Sequence, residues 1–78
     1  MPKYAVVVES SGSSYGVSSP DVPGCISVAE TRDEAIQQFA EALAMHLRGM
    51  REDGAPLPEP SASVEYVEVE LGEPVAAG

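Results

Sequence analysis

The sequence predicts a small α+β domain of two layers in the order β-β-β-α-β, with one long helix on one face of a mainly antiparallel sheet. Three observations predict this class. Short β-branched runs lie toward both ends of the chain, one long segment has a helical apolar period, and 78 residues leave room for one modest core. We therefore expect one domain over residues 1–71 and a tail over 72–78.

Three strands are predicted before the helix. Residues 3–9, KYAVVVE, are rich in β-branched residues, and SSGSS at 10–14 is a hairpin signal. A second strand is predicted over 14–18 and a third over 25–29. The first strand has apolar residues on both of its faces, and a single helix can cover only one of them. We expect the other face to be covered by self-association.

The segment between the second and third strands predicts a rigid turn. Its prolines cannot donate hydrogen bonds to a sheet, and its glycine permits a positive φ. The residues assigned to this structural turn are Pro20, Asp21, Pro23, Gly24 and Cys25.

Residues 31–53 predict the long helix. Thr31 and Glu34 match the T-x-x-E capping box, Gly54 stands where a helix C-cap belongs, and Pro56 prevents further propagation. The apolar residues of one helical stripe, which we expect to face the sheet, are Ile36, Phe39, Ala40, Leu43, Leu47 and Met50.

A second, weaker apolar arc on the helix predicts a contact between subunits. Gly49 inside a helix costs about 1 kcal/mol relative to alanine, which favours a close approach by another segment. The alternative is that this edge of the helix is simply half exposed. Together with apolar strand residues, the residues assigned to contacts within a dimer or a higher even assembly are Ala42, Met45, Gly49, Tyr4, Val6 and Tyr66.

A fourth strand is predicted over residues 64–71, VEYVEVEL, after a proline-rich connector at 55–63. Apolar and acidic residues alternate in this segment, as they do in a strand with one buried face. The side chains expected to face inward are Val67, Val69 and Leu71, and those expected to face water are Glu68 and Glu70.

Charge and composition limit the classes of partner. Four basic against 13 acidic side chains give a net charge of −9, which disfavours direct binding to nucleic acid. The negative field would attract a basic protein, although solubility alone is the simpler explanation. One cysteine cannot form an internal disulfide, no apolar run approaches a membrane span, and no signal peptide is evident. A cytoplasmic location is expected.

Candidates for catalysis are few. Cys25 and His46 are the single cysteine and the single histidine, and no third group is placed to orient them as a nucleophile and a base. Glu9, Asp21 and Asp33 could gather into a two-ion nuclease site, but a turn, a helix dipole and solvent account for them more simply. We expect no catalytic residue, no metal and no cofactor.

Several motifs together resemble the HicB antitoxin family. These are the strand-hairpin-strand, the PDVPGC turn, the helix that starts with TRDEA and ends near EDG, and the proline-rich connector. The resemblance implies a partial RNase H-like fold. It also implies binding to HicA, a small basic toxin that cleaves mRNA with a histidine, and inhibition by covering that site. Many members continue into a DNA-binding segment, which we do not expect in the sequence given.

Charge and expected exposure suggest a footprint for the toxin. The acidic residues assigned to it are Glu65, Glu68, Glu70, Glu73 and Glu41. The simplest alternative is a solvated sheet face. Two other functions stay open at this point, which are a stand-alone homo-oligomeric module without a toxin and, as the weakest, a reduced metal-dependent nuclease.

Overall fold

The computed structural model describes residues 2–72. Along the chain it contains β1 (Val7–Ser11), β2 (Ser14–Ser18), β3 (Ile26–Ala29) and α1 (Arg32–Glu52). The strands form an antiparallel sheet in the order β1-β2-β3. The predicted α+β class, with a small antiparallel sheet and one long helix, is confirmed. The likeness to RNase H stays a prediction. No helix among the described residues is long and apolar enough to cross a membrane.

The β1–β2 hairpin forms where the sequence places it. Ser11 pairs with Ser14, which leaves a two-residue loop of Gly12 and Ser13. Gly12 has φ of 71°, and a positive φ at the first loop position fits the turn whose twist matches that of the flanking strands. The hairpin signal therefore sets the register of the first two strands.

The first strand starts later than predicted. β2 ends at Ser18, which pairs with Val7, so residues 2–6 run beyond the last paired position of β2. Tyr4 and Val6 nevertheless pack against the core on the helix side of the sheet. Residues 2–6 therefore extend the line of β1 without a neighbouring strand.

The helix is capped at both ends by hydrogen bonds that the sequence predicts. The Glu34 backbone N–H donates to Thr31 Oγ1 at 3.2 Å. At the other end Gly54, with φ of 75°, donates to the Arg51 carbonyl, and Ala55 donates to the Met50 carbonyl at 2.9 Å. This is the Schellman pattern, which satisfies carbonyls that the helix leaves free. The helix is confirmed within one residue at each end.

The core lies between the helix and the second and third strands. Its buried residues are Val17, Val22, Ala35, Phe39 and Leu43. α1 packs across β2 and β3, and the Ser27 hydroxyl of β3 donates to the Ala35 carbonyl at 2.7 Å. The helix therefore covers the β2–β3 side of the sheet more completely than the β1 side.

The predicted fourth strand is wrong for the described chain. Residues 64–71 belong to no strand or helix, and every one of them is exposed. Val67 is 81% exposed and Leu71 is 67% exposed, so the apolar residues expected to face inward meet solvent. The alternating pattern predicts a strand with one buried face, but it does not identify the strand with which the segment would pair. The described order is β-β-β-α.

The exposed segment gives the molecule an elongated shape. Its extents are 55 × 28 × 19 Å and its radius of gyration is 16.3 Å, against about 12 Å for a compact chain of this length. Eight extended residues span up to about 26 Å, which is enough to account for the added length. Residues 64–71 therefore project from a compact body formed by the sheet and the helix.

Candidate interaction surfaces

The turn between β2 and β3 carries structural contacts. The Val22 N–H donates to the Ser19 carbonyl at 3.3 Å, and the Cys25 N–H donates to the Val22 carbonyl at 3.4 Å. The Ser19 hydroxyl donates to the Ala5 carbonyl at 2.8 Å, which ties the turn to the N-terminal segment. Val22 is buried in the core. These contacts fix the end of the sheet at which residues 2–6 lie.

Asp21 in this turn holds the connector that follows the helix. Its carboxylate accepts hydrogen bonds from the Ser61 hydroxyl at 3.1 Å and from the Ala62 N–H at 3.0 Å. The Tyr4 hydroxyl donates to the Pro58 carbonyl at 2.7 Å. The connector is thus fixed first beside the N-terminal segment and then at the turn, immediately before the exposed segment begins.

The residues considered for catalysis lie in separate environments. Cys25 is a free thiol, half-buried against the core, whereas His46 is exposed on the helix. Glu9 pairs with Gly16 in the sheet, and Asp33 lies in the first turn of the helix. Across residues 2–72, no three His, Cys, Asp or Glu side chains converge as a metal site would require.

The acidic residues assigned to a toxin footprint are accessible where the structure describes them. Glu65, Glu68 and Glu70 are exposed on the projecting segment, and Glu41 is exposed on the helix. Glu73 lies outside the described residues. In an extended chain Glu68 and Glu70 share one side of the segment, and Glu65 lies on the other side with the valines.

The helix residues assigned to self-association are unequally exposed. Met45 is 69% exposed, while Ala42 and Gly49 are half-buried. A Cβ atom built on Gly49 would meet nothing within 4 Å. The close approach that the glycine suggested is therefore not made by any other segment within residues 2–72.

An apolar groove opens on the β1 side of the helix. Its volume is about 650 Å³, and it lies between the N-terminal segment and one flank of α1. Tyr4 and Val6 form one wall, and residues of the predicted helical stripe form the other. Arg48 and Arg51 also line it. The strand and helix patterns each indicate one wall, but neither pattern indicates that the space between the two walls is open.

The sheet face opposite the helix is a second apolar surface. Val7, Ile26 and Val28 are exposed there, with Val28 58% exposed. The strand register places Val7, Ser18 and Ile26 in one row across the sheet. Self-association is predicted for this face, but Tyr4 and Val6, two of the residues assigned to contacts between subunits, lie on the helix side of the sheet and pack against the core.

Comparison with known proteins gives matches that cover most of this chain. The family model described as the HicB-like antitoxin of bacterial toxin-antitoxin systems matches residues 4–72. A 14.9 kDa protein from the rep-hol intergenic region of Haemophilus phage HP1 (strain HP1c1), described as uncharacterized, is 39% identical over 64 residues. That match covers 82% of this chain and 48% of the phage protein, so the chain spans about half the length of this relative. No solved structure gives a significant match.

Proposed function

Because this chain belongs to the family of HicB-like antitoxins from bacterial toxin-antitoxin systems, we propose that it binds and neutralises a small, basic, mRNA-cleaving toxin of the HicA type. The observation that carries the proposal is the family match, which runs from residue 4 to residue 72. An antitoxin of this kind acts by binding, so the chain needs a surface for its partner and no catalytic group of its own. A toxin that cleaves mRNA would be met in the cytoplasm.

The charge of the chain supports a basic partner. A net charge of −9 on 78 residues creates a negative field that speeds the approach of a positive protein and orients it before contact. The footprint that we propose centres on Glu68 and Glu70, which are exposed and separated by one residue. Glu65, Glu73 and Glu41 belong to the same proposed footprint.

Co-expression tests the proposal. The reading frame next to the one that encodes this chain is expected to encode a small basic protein that stops growth when it is expressed alone. Co-expression of this chain is expected to restore growth, and the two proteins are expected to co-purify. An adjacent frame that encodes no such protein, or a toxic neighbour that this chain neither binds nor silences, would contradict the proposal.

A charge reversal tests the footprint. In the double variant Glu68→Lys/Glu70→Lys, we expect the association rate with the toxin at low salt to fall by about tenfold, because the steering field is reversed where the partner lands. The matched control is Glu30→Lys/Glu52→Lys, which changes the net charge equally at two other exposed positions. Equal rates for the two double variants would remove the footprint while leaving the antitoxin role in place.

Self-association is the second part of the proposal. The chain exposes apolar side chains on the projecting segment and on the open face of the sheet. Exposed apolar surface of this kind is commonly covered by another protein chain. We propose a homodimer or a higher even assembly. If a stable assembly formed but recovered no basic protein, the function would be that of a stand-alone homo-oligomeric module.

A further inference from the structure

We propose that two copies of this chain exchange residues 64–71, so that the segment of each copy lies along the outer edge of β1 and residues 2–6 in the other copy. Val67, Val69 and Leu71 then enter the apolar groove of that copy. The inference specifies how the proposed self-association is made, and it holds whether or not a toxin is the partner.

The size and the position of the groove would accommodate one added strand. It has a volume of about 650 Å³ and lies between the N-terminal segment and the helix. Ile36, Leu43 and Leu47 line its helical wall, and the exposed Ala40 lies beside them. In the described sheet β1 pairs with β2 alone, so its other edge presents backbone groups that a further strand could bind.

The projecting segment has the alternating apolar and acidic residues that a strand in this groove would need. Val67, Val69 and Leu71 alternate with acidic residues, and Val67 and Val69 are 81% and 69% exposed. In a strand added to β1, the three apolar side chains would face the helix and the alternate glutamates would face water. Backbone hydrogen bonds would supply affinity, and the side chains in the groove would supply specificity.

The connector explains why the occupant is a second copy and not the chain's own segment. It contacts Tyr4 through Pro58 beside the groove, and it then passes to Asp21, which binds Ser61 and Ala62. Asp21 belongs to the turn between β2 and β3, which lies beside the N-terminal segment on its β2 side, whereas the groove lies between that segment and the helix. The segment therefore begins at the turn and leaves the folded body there, without entering the groove of its own chain.

Charge gives the added strand a direction. Arg48 and Arg51 line the groove near Pro2, at the end where the helix finishes. Glu65 shares a side with Val67 and Val69 in an extended chain, so it would enter on the same face. A strand parallel to β1 places Glu65 at the arginine end, whereas an antiparallel strand places Leu71 there. We therefore assign the parallel orientation.

A two-fold axis makes the exchange reciprocal. Each copy offers one groove and one segment, so two identical contacts close the dimer and leave neither groove open. Glu68 and Glu70 stay on the outer side of the exchanged strand, where they remain accessible to a basic partner. Self-association and toxin binding through Glu68 and Glu70 thus use opposite sides of the same segment, and in the exchanged dimer Glu65 belongs to the contact between copies and not to the toxin footprint.

Mass measurement by light scattering after size-exclusion chromatography tests the exchange on the full chain. The unmodified protein is expected to be a dimer at micromolar concentration. Ala40→Glu places a charge in the groove at an exposed position with high helix propensity, and we expect the dimer dissociation constant to rise by at least about a hundredfold. The matched control Gln38→Glu, at an exposed position on the same helix but outside the groove, is expected to leave the dimer intact.

A second variant tests the segment directly. Val69→Asp changes an exposed residue of the projecting segment, so it should leave the folded body intact while removing the dimer. Because Ala40→Glu blocks the groove and Val69→Asp blocks the segment, a mixture of the two variants retains one good contact and is expected to form a heterodimer that neither variant forms alone. Circular dichroism should show the same helix content in all variants.

Three results would overturn the exchange. A monomeric unmodified chain would do so, as would a dimer that withstands both Ala40→Glu and Val69→Asp. A dimer lost in Met45→Glu but kept in Ala40→Glu would place the contact on the helix arc of Ala42, Met45 and Gly49. Toxin neutralisation is measured separately, so a monomeric variant that still silences the toxin distinguishes failure of the exchange from failure of the antitoxin role.

Discussion

At the scale of single residues, the glycines of this chain have two different roles. Gly54 has φ of 75° and forms the C-terminal cap of the helix. Gly49 lies in the interior of the same helix and has open space where a side chain would project. The first glycine is required by its backbone conformation, whereas no contact in the described part of the chain requires the second.

Substitution of the two glycines by alanine separates these roles. Gly49→Ala is expected to raise the free energy of unfolding by about 1 kcal/mol, because alanine loses less backbone entropy in a helix. Gly54→Ala is expected to lower it by about 1 kcal/mol, because an L-residue is strained at positive φ. Urea unfolding followed by circular dichroism measures both changes. A destabilised Gly49→Ala variant would mean that another chain contacts the helix at that position.

Sequence reasoning at this scale succeeded where the signal is local. The cap at Thr31, the cap at Gly54 and the hairpin at residues 10–14 each depend on a few neighbouring residues, and each is found where the sequence places it. Asp21 shows the limit of such reasoning. The sequence placed it in the turn, but its hydrogen bonds to Ser61 and Ala62 join residues 40 and 41 positions apart.

At the scale of elements, the same distinction explains which strands were predicted correctly. β1 and β2 are joined by a two-residue loop, and β3 follows after one short turn, so their pairing is set by nearby residues. The segment 64–71 has an equally clear alternating pattern, yet it pairs with nothing in the described chain. The pattern indicates that the apolar side chains of this segment need a surface to cover them. It does not indicate which strand supplies that surface, because the partner strand is not set by neighbouring residues.

The connector is the element whose attachment can be tested most directly. Asp21→Ala removes the acceptor of two hydrogen bonds at a half-buried position, and we expect the free energy of unfolding to fall by about 1–2 kcal/mol. Hydrogen exchange of the Ala62 amide should become faster in the variant, because its acceptor is gone. The exposed Glu30→Ala serves as the control for loss of one carboxylate. Unchanged exchange at Ala62 would show that Asp21 does not hold the connector.

At the scale of the whole molecule, an acidic body carries a projecting strand-like segment and two apolar surfaces. Sequence reasoning reached the α+β class, the acidity and the family, because composition and short motifs carry that information. The groove is not indicated by the sequence, because it lies between segments that are far apart along the chain. The surfaces that we propose for another copy and for a toxin both depend on that geometry.

The most direct test of the antitoxin role is a titration of toxin activity with this chain. Purified HicA-type toxin from the neighbouring frame would be incubated with RNA while increasing amounts of this protein are added, and the remaining cleavage would be measured. We predict that cleavage falls linearly to zero near one chain per toxin, with Glu68→Lys/Glu70→Lys needing a larger excess than the Glu30→Lys/Glu52→Lys control. Cleavage that continues at full rate in a large excess of the unmodified chain would contradict the proposal.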